Sequence, residues 1–451
     1  MKRTKLKKLV AWKNQQQRMP LLLDGARQVG KTWLLESLFG KQYFRNVVKL
    51  DFLENPGLCS IFEGSKNPTH IINQIQIVLG VDIEPERDLV FFDEVGECQN
   101  ALDSLKFFQE QRPEMYLCAS GSNLGLLSSF PVGKVDELHL QPMSFEEFIM
   151  AHNNAHLTEA YQAGTRNDIV HSKLWPLLLD YYFVGGMPKS VSTWINGDKT
   201  RINALASDVR QVQQALINGY IRDFGKYAPR KSAAMHIERV FRNIPAQLMK
   251  EIDGSVRRYQ FSKVIPKKNG YRDLQGPIDY LTKTRLASKN YIIEGRPRSP
   301  LKTQITESRF KLFMHDIGLL HCLAEISYQE IQLQNFEFKG YVAENFVHNE
   351  ALYLGLEQTY SWHSQNKAEL EFLFKRCDGE IIPAEVKSGK RTQAKSLKTY
   401  INLFHPKCAY KFTANIGGFR EDSMRTLPLY YAAYYINQLI HEARSSSIQQ
   451  P

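Results

Sequence analysis

Residues Leu21–Leu38 read LLLDGARQVGKTWLLESL, and this stretch decides the fold. Inside it Gly25-Ala26-Arg27-Gln28-Val29-Gly30-Lys31-Thr32 is a complete G-x-x-x-x-G-K-T phosphate-binding loop. Three leucines after Pro20 predict a short buried strand, and Trp33–Phe39 a helix start with Leu34, Leu35 and Leu38 on one face. A strand, a glycine loop and a helix in that order give the loop its chemistry. Its backbone N–H groups and the helix N-terminus cradle phosphates, while Gly25 and Gly30 permit the turns and the close approach. Lys31 is expected on the β- and γ-phosphates of a bound nucleotide and Thr32 on Mg²⁺. Trp33, first residue of the helix, is counted with the nucleotide-binding set.

A second signature lies downstream. Leu89–Glu94, LVFFDE, is an apolar strand ending in two acids, where open α/β sheets bind ligands. Asp93 is expected to hold Mg²⁺ and Glu94 to polarise the attacking water. Glu114–Asn123 (EMYLCASGSN) is a further strand whose tip carries Ser120, Ser122 and Asn123. They suit a γ-phosphate sensor, with Ser122 in the nucleotide set, and they suit an ordinary polar turn equally well. Asn46–Phe52 and Val135–Leu140 complete the strands, and Ser144 with Glu147 forms a helix cap. Residues 1–150 therefore predict a doubly wound P-loop domain with a parallel sheet.

Composition bounds the remainder. The chain has 451 residues, 43% hydrophobic and 23% charged, an ordinary globular balance with room for two to four domains. No run of eighteen apolar residues exists, so no membrane span is expected, and the basic lead-in has no apolar signal core. Six scattered cysteines without a C-x-x-C pair point to reduced thiols and a cytoplasmic location. The net charge is +11, and residues 254–311 hold 14 Lys/Arg against 4 Asp/Glu, so one segment carries nearly all of it. That distribution suits a nucleic-acid partner, DNA ahead of RNA, and also an acidic protein partner.

Residues 151–250 read as helical, a lid or connector, with Gly185-Gly186-Met187-Pro188 as a turn. In 251–330, a helix at Leu274–Leu286 followed by strands at Ala287–Glu294 and Phe310–Met314 suggests a basic winged-helix module. Residues 331–451 predict a helix at Phe338–Leu354, a strand at Tyr360–His363, and a hairpin of Ala368–Lys375 with Ile381–Val386. A helix at Ala394–Phe404, an aromatic final helix and a frayed tail at 445–451 follow. Alternation puts Glu369, Glu371 and Leu373 on one hairpin face, and Leu370, Phe372 and Phe374 on the other. Glu385 and Lys387 share a face. Glu371 and Glu385 are candidate ligands of a divalent metal, with Lys387 polarising a water and Glu344 a third acid. A salt-bridged hairpin face is the alternative.

With these residues in view, the chain resembles a family of bacterial and archaeal AAA-type ATPases with a C-terminal domain of uncharacterised role. The resemblance is carried by GARQVGKTWLL, FFDE, SGSN, LQPMSFEEF and GGMP, then FKLFMHDIGLL, GYVAENFV, AELEFLF and IIPAEVKSG. It implies an ATPase core, a winged-helix-like middle and a C-terminal α/β fold similar to PD-(D/E)XK nucleases. Glu344 then matches the helix acid, Glu371 the metal-binding acid, and Glu385 and Lys387 the E-x-K pair. Three positions depart from the pattern: Glu371 stands for Asp, Gly96 for Gln and Lys134 for Arg. Lys cannot copy the bidentate fork of Arg, so slow hydrolysis and a nucleotide-dependent switch are expected. Three functions stay open: an ATPase whose nucleotide state controls DNA engagement or cleavage; an ATPase switch or scaffold for a protein or nucleic-acid partner, whose nuclease-like fold is inactive; and a regulator acting through the winged helix alone, with a homo-oligomer compatible with each.

Overall fold

A computed structural model describes the chain except residues 128–129, 132, 228–230, 250–257, 334–338, 365–367, 390–393, 419, 422 and 442–451. The tail expected to fray at 445–451 and Phe338, expected to open a helix, lie outside the described residues. Two compact units emerge. The first comprises Met1–Pro142 with Lys283–Leu286, the second Met143–Thr282 with Ala287–Pro451.

The first unit is built on five parallel strands: β1 (Leu21–Asp24), β2 (Val47–Asp51), β3 (Leu89–Asp93), β4 (Tyr116–Gly121) and β5 (Asp136–His139). Their order is β2-β3-β4-β1-β5. β1 and β3 are all-buried apolar runs, as a sheet covered on both faces demands. The two signatures therefore end at the same sheet edge with β4 between them. The helix after the phosphate loop, Trp33–Gly40, has the wide turns of a π-helix and buries Leu34, Leu35 and Phe39. One face of the sheet is closed by Phe52, Phe62, Phe92 and Phe108, which meet edge to face. The cap predicted at Ser144 forms, its side chain accepting from the Glu147 N–H, at the start of the second unit.

The second unit carries an eight-stranded mixed sheet: β6 (Ala287–Glu294), β7 (Phe310–Met314), β8 (Thr359–His363), β9 (Glu369–Lys375), β10 (Ile381–Val386), β11 (Ala409–Thr413), β12 (Arg420–Glu421) and β13 (Met424–Pro428). The order is β12-β13-β11-β10-β9-β8-β6-β7. The helix Tyr271–Lys283 and the antiparallel pair β6/β7 appear where a winged-helix module was expected. They are not a separate module. β6 pairs in parallel with β8 from Asn290↔Thr359 to Glu294↔His363, which makes the basic segment's strands one edge of the C-terminal sheet. No sheet boundary falls at residue 330. Helices between Ala151 and Val209 pack in the same core as Phe346, Phe372 and Phe412.

The β9/β10 hairpin forms as predicted, but its faces do not alternate throughout. Tyr360 pairs with Leu373 and Trp362 with Leu370, so β9 has one residue more than β8 between those pairs. That bulge falls at Glu371-Phe372. It turns Leu370 and Leu373 into one cluster with Trp362, Leu397 and Tyr400, while Phe372 and Phe374 join the opposite core. The expectation that Leu373 shares a face apart from Leu370 is thereby corrected.

Candidate functional site

The phosphate loop follows β1 directly. Gln28 (φ 65°) and Gly30 (φ 93°) take left-handed backbone, the bends that let successive N–H groups point inward. Gly25 is packed so tightly that a Cβ there would sit 2.4 Å from the Leu140 carbonyl oxygen. Lys31 is buried and folds back over the loop, donating to the carbonyls of Gly25 (3.0 Å) and Ala26 (3.1 Å). Burial lowers its pKa, and the nearby Glu94, Asp24 and Asp93 offset only part of this. Arg27 leans to Ser122 (Nε to Oγ, 3.3 Å) and Trp33 is half exposed beside the loop.

Asp93 ends β3. Its Oδ1 accepts from Ser120 Oγ (2.5 Å) and the Glu94 N–H (3.1 Å). Burial raises its pKa despite hydrogen bonds from Ser120 and Thr32. Thr32 and Asp93 are thus side by side at the loop's end, an oxygen donor pair of the hard kind that suits Mg²⁺ with phosphate oxygens completing the shell. Glu94 adopts left-handed backbone (φ 49°), and its Oε2 accepts from the N–H (3.2 Å) and Oγ (2.9 Å) of Ser122. The serines at the β4 tip therefore serve the two acids: Ser120 orients Asp93, Ser122 orients Glu94. Ser122, expected as a γ-phosphate sensor, hydrogen-bonds the Glu94 carboxylate in this structure.

Two cations at this edge were not singled out in the sequence. Lys49, in β2, lies 3.4 Å from Asp51, 3.6 Å from Glu36 and 4.0 Å from Asp93. Arg285, in the short piece of chain that joins this unit, reaches Asp24. Lys49 was legible as a lysine in an apolar strand, whereas Arg285 gave no local signal. Lys134, where the pattern has Arg, pairs with Glu110 at 3.0 Å.

The second candidate site lies within the other unit. Lys387 Nζ stands between two carboxylates, 3.0 Å from Glu371 Oε1 and 3.2 Å from Glu385 Oε1. Glu371 Oε2 also accepts the Val386 N–H (3.2 Å). Glu344 is not directed at a shared ion; it pairs with Lys311 at 3.0 Å, and Lys311 pairs with Glu369 at 2.5 Å. The four sequence-predicted residues are brought together, with Lys311 and Glu369 added. Lys311 was visible only as a lone lysine inside FKLFM. Burial, then the charge of Glu371, pushes Glu385 up to about 7, with Lys387 opposing. Glu385 Oε2 is buried with no hydrogen-bond partner among the described residues. Among those residues no group of three or more His, Cys, Asp and Glu is arranged to hold a metal ion. The ammonium of Lys387 takes the position between the carboxylates that a divalent ion would need, so the expected metal pair Glu371/Glu385 does not fit as the cluster stands.

Three family models match separate parts of the chain. Residues 17–149 match a family model described as an AAA domain. The first unit carries nearly all of that match, an AAA domain. Residues 176–330 and 339–431 match two domains of unknown function, DUF8612 and DUF4143. No curated protein matches the chain. Among solved structures, C. elegans PCH-2 aligns at 15% identity over 46% of this chain and 66% of that one, with a TM-score of 0.27. So loose a superposition transfers no residue roles. Among the described residues no helix is long and apolar enough to cross a membrane.

Proposed function

We propose that the chain binds ATP with Mg²⁺ at the phosphate loop, hydrolyses it, and uses nucleotide state to control engagement of nucleic acid, DNA ahead of RNA, by the basic stretch 254–311. The observation that carries this reading is the convergence of Lys31, Thr32, Asp93 and Glu94 at one sheet edge, each acid oriented by its own serine. In this reading the loop amides of residues 25–32 bind the phosphates and Lys31 turns from its carbonyls onto them. Thr32 and Asp93 would hold Mg²⁺, which when bound would supply charge neutralisation at the phosphate oxygens. Glu94, fixed by Ser122, accepts a hydrogen bond from the attacking water and directs its lone pair at the terminal phosphorus.

The E-x-K cluster favours a second reading of the C-terminal part: a nuclease-like face that no longer cuts. Lys387 is held by both Glu371 and Glu385, and Glu344 by Lys311, leaving the acids committed to internal ion pairs. Cleavage by Glu344, Glu371, Glu385 and Lys387 remains the competing proposal. One experiment separates them. Purified protein is given labelled duplex and single-stranded DNA and RNA with Mg²⁺ or Mn²⁺, with and without ATP, beside Lys31→Ala, Glu94→Gln and Lys387→Ala. We expect ATP turnover to fall at least about a hundredfold in Lys31→Ala and Glu94→Gln, with nucleic-acid binding that depends on nucleotide and no cutting. Metal-dependent cutting lost only in Lys387→Ala would overturn the switch reading; turnover that survives Lys31→Ala would overturn the ATPase reading.

A further inference from the structure

Lys283, the last residue of helix Tyr271–Lys283, and the three residues that lead from it to β6 belong by contact to the first unit. Thr284 and Leu286 are buried, and Arg285 sits at left-handed backbone (φ 58°), a conformation that costs a non-glycine residue about 1 kcal/mol. Its side chain spans two strand tips. Nε donates to Asp24 Oδ2 at 2.5 Å, and a terminal nitrogen lies 3.1 Å from His139 Nε2. The other ring nitrogen, His139 Nδ1, is 3.3 Å from the same Asp24 oxygen. On the far side, a Cβ on Gly125 would meet the Lys283 carbonyl at 2.8 Å, so the piece also lies against the turn beyond β4.

Asp24 is the last residue of β1, immediately before Gly25, and is 9% exposed. Its carboxylate is one of the three negative charges acting on Lys31. An uncompensated buried carboxylate at this place opposes a triphosphate entering the loop, because like charges in a poorly hydrated site repel strongly. Burial alone would push the Asp24 carboxyl up, but the His139 hydrogen bond and the Arg285 charge hold it below its ordinary range, so it stays ionised and needs its cation.

We infer that Arg285 is a positioning residue for nucleotide binding: through Asp24 it neutralises the charge at the root of the phosphate loop and fixes the loop's first residue. It touches no expected position of the nucleotide, and the inference rests on the ATP-site reading above. Arg285 also lies inside the basic stretch, so a polyanion that draws it from Asp24 would weaken ATP binding, and ATP would weaken polyanion binding by the same factor.

The test is a charge-rescue series on the full chain, read by equilibrium binding of a fluorescent ATP analogue with Mg²⁺ and by steady-state turnover. Arg285→Ala and Arg285→Gln are compared with Asp24→Asn and with Asp24→Asn/Arg285→Ala, with thermal unfolding as a check of folding. Arg285→Ala is expected to weaken analogue binding about tenfold and raise KM in step, with kcat within about threefold. Removing the stranded charge in Asp24→Asn/Arg285→Ala should return affinity to within about threefold of wild type, since contacting residues couple non-additively. Unchanged affinity in Arg285→Ala, or a double variant as weak as the single one, overturns the inference. Wild-type protein that does not bind the analogue overturns the ATP-site reading itself, and this inference with it. A purely structural role would lower the unfolding temperature without the KM-against-kcat split or the rescue.

Discussion

Replacing Glu350 by Gln should make the protein's stability far less sensitive to alkaline conditions. Glu350 lies in helix Lys339–Tyr353 and is 2% exposed. Its Oε1 accepts the Phe145 N–H at 2.9 Å, and Oε2 is buried with no hydrogen-bond partner among the described residues. Burial, opposed by the Phe145 hydrogen bond but reinforced by Glu146 and Glu147, raises its pKa from 4.5 to about 8. The sign follows. Between those values the folded protein holds a proton that the unfolded chain has released, so the stabilisation is complete below pH 4.5 and is lost as pH rises through 8. A rise of about 3.5 pH units at 1.36 kcal/mol each sets a ceiling of about 5 kcal/mol. Gln cannot ionise, yet its carbonyl oxygen can still accept from Phe145. Thermal unfolding of wild type and Glu350→Gln, followed by near-ultraviolet circular dichroism from pH 5 to 9 at fixed ionic strength, gives a difference curve in which other groups, such as Asp316 with its pKa of about 6, cancel. The variant should overtake wild type as pH rises, by roughly 5–10 °C at pH 9. Parallel curves, or a variant less stable at pH 9, would refute the reasoning.

Two further outcomes are expected. Ser120→Ala removes the hydrogen bond that orients Asp93; it should raise the Mg²⁺ concentration needed for half-maximal ATP turnover about threefold to tenfold and cost about 1–3 kcal/mol in denaturant unfolding. Lys311→Met takes away the cation shared by Glu344 and Glu369; a loss of about 3–5 kcal/mol is expected, partly restored by Glu344→Gln in the same chain, and equal stability of the two variants would contradict the ion-pair account.

What was legible in the sequence is what short spacing decides. The phosphate loop, LVFFDE, the Ser144 cap and the hairpin of Ala368–Lys375 with Ile381–Val386 each declare themselves within about twenty residues, and strand and helix positions came with them. Arg285 and Lys311 did not, because their meaning depends on partners far away in the chain: Asp24 is 261 residues from Arg285, and Glu344 is 33 from Lys311. The bulge at Glu371-Phe372 was hidden for a different reason. One extra residue leaves the local pattern nearly intact yet exchanges the faces of everything beyond it. Membership of β6 and β7 in the C-terminal sheet was equally invisible, since a parallel pairing has no turn to mark it.

That parallel pairing orders events during synthesis. Asn290 in β6 meets Thr359 in β8 only after 69 further residues have been made, so β6 leaves the ribosome with an open edge and waits. The ATPase unit waits too, because its last four residues, Lys283–Leu286, follow more than a hundred residues of intervening chain. Neither unit can close in simple N-to-C succession, and high contact order makes both slow to form. A nascent chain arrested before residue 283 would carry a phosphate loop whose root charge has not yet met its arginine. On the role inferred for Arg285, nucleotide capture would be weak until translation has passed that point.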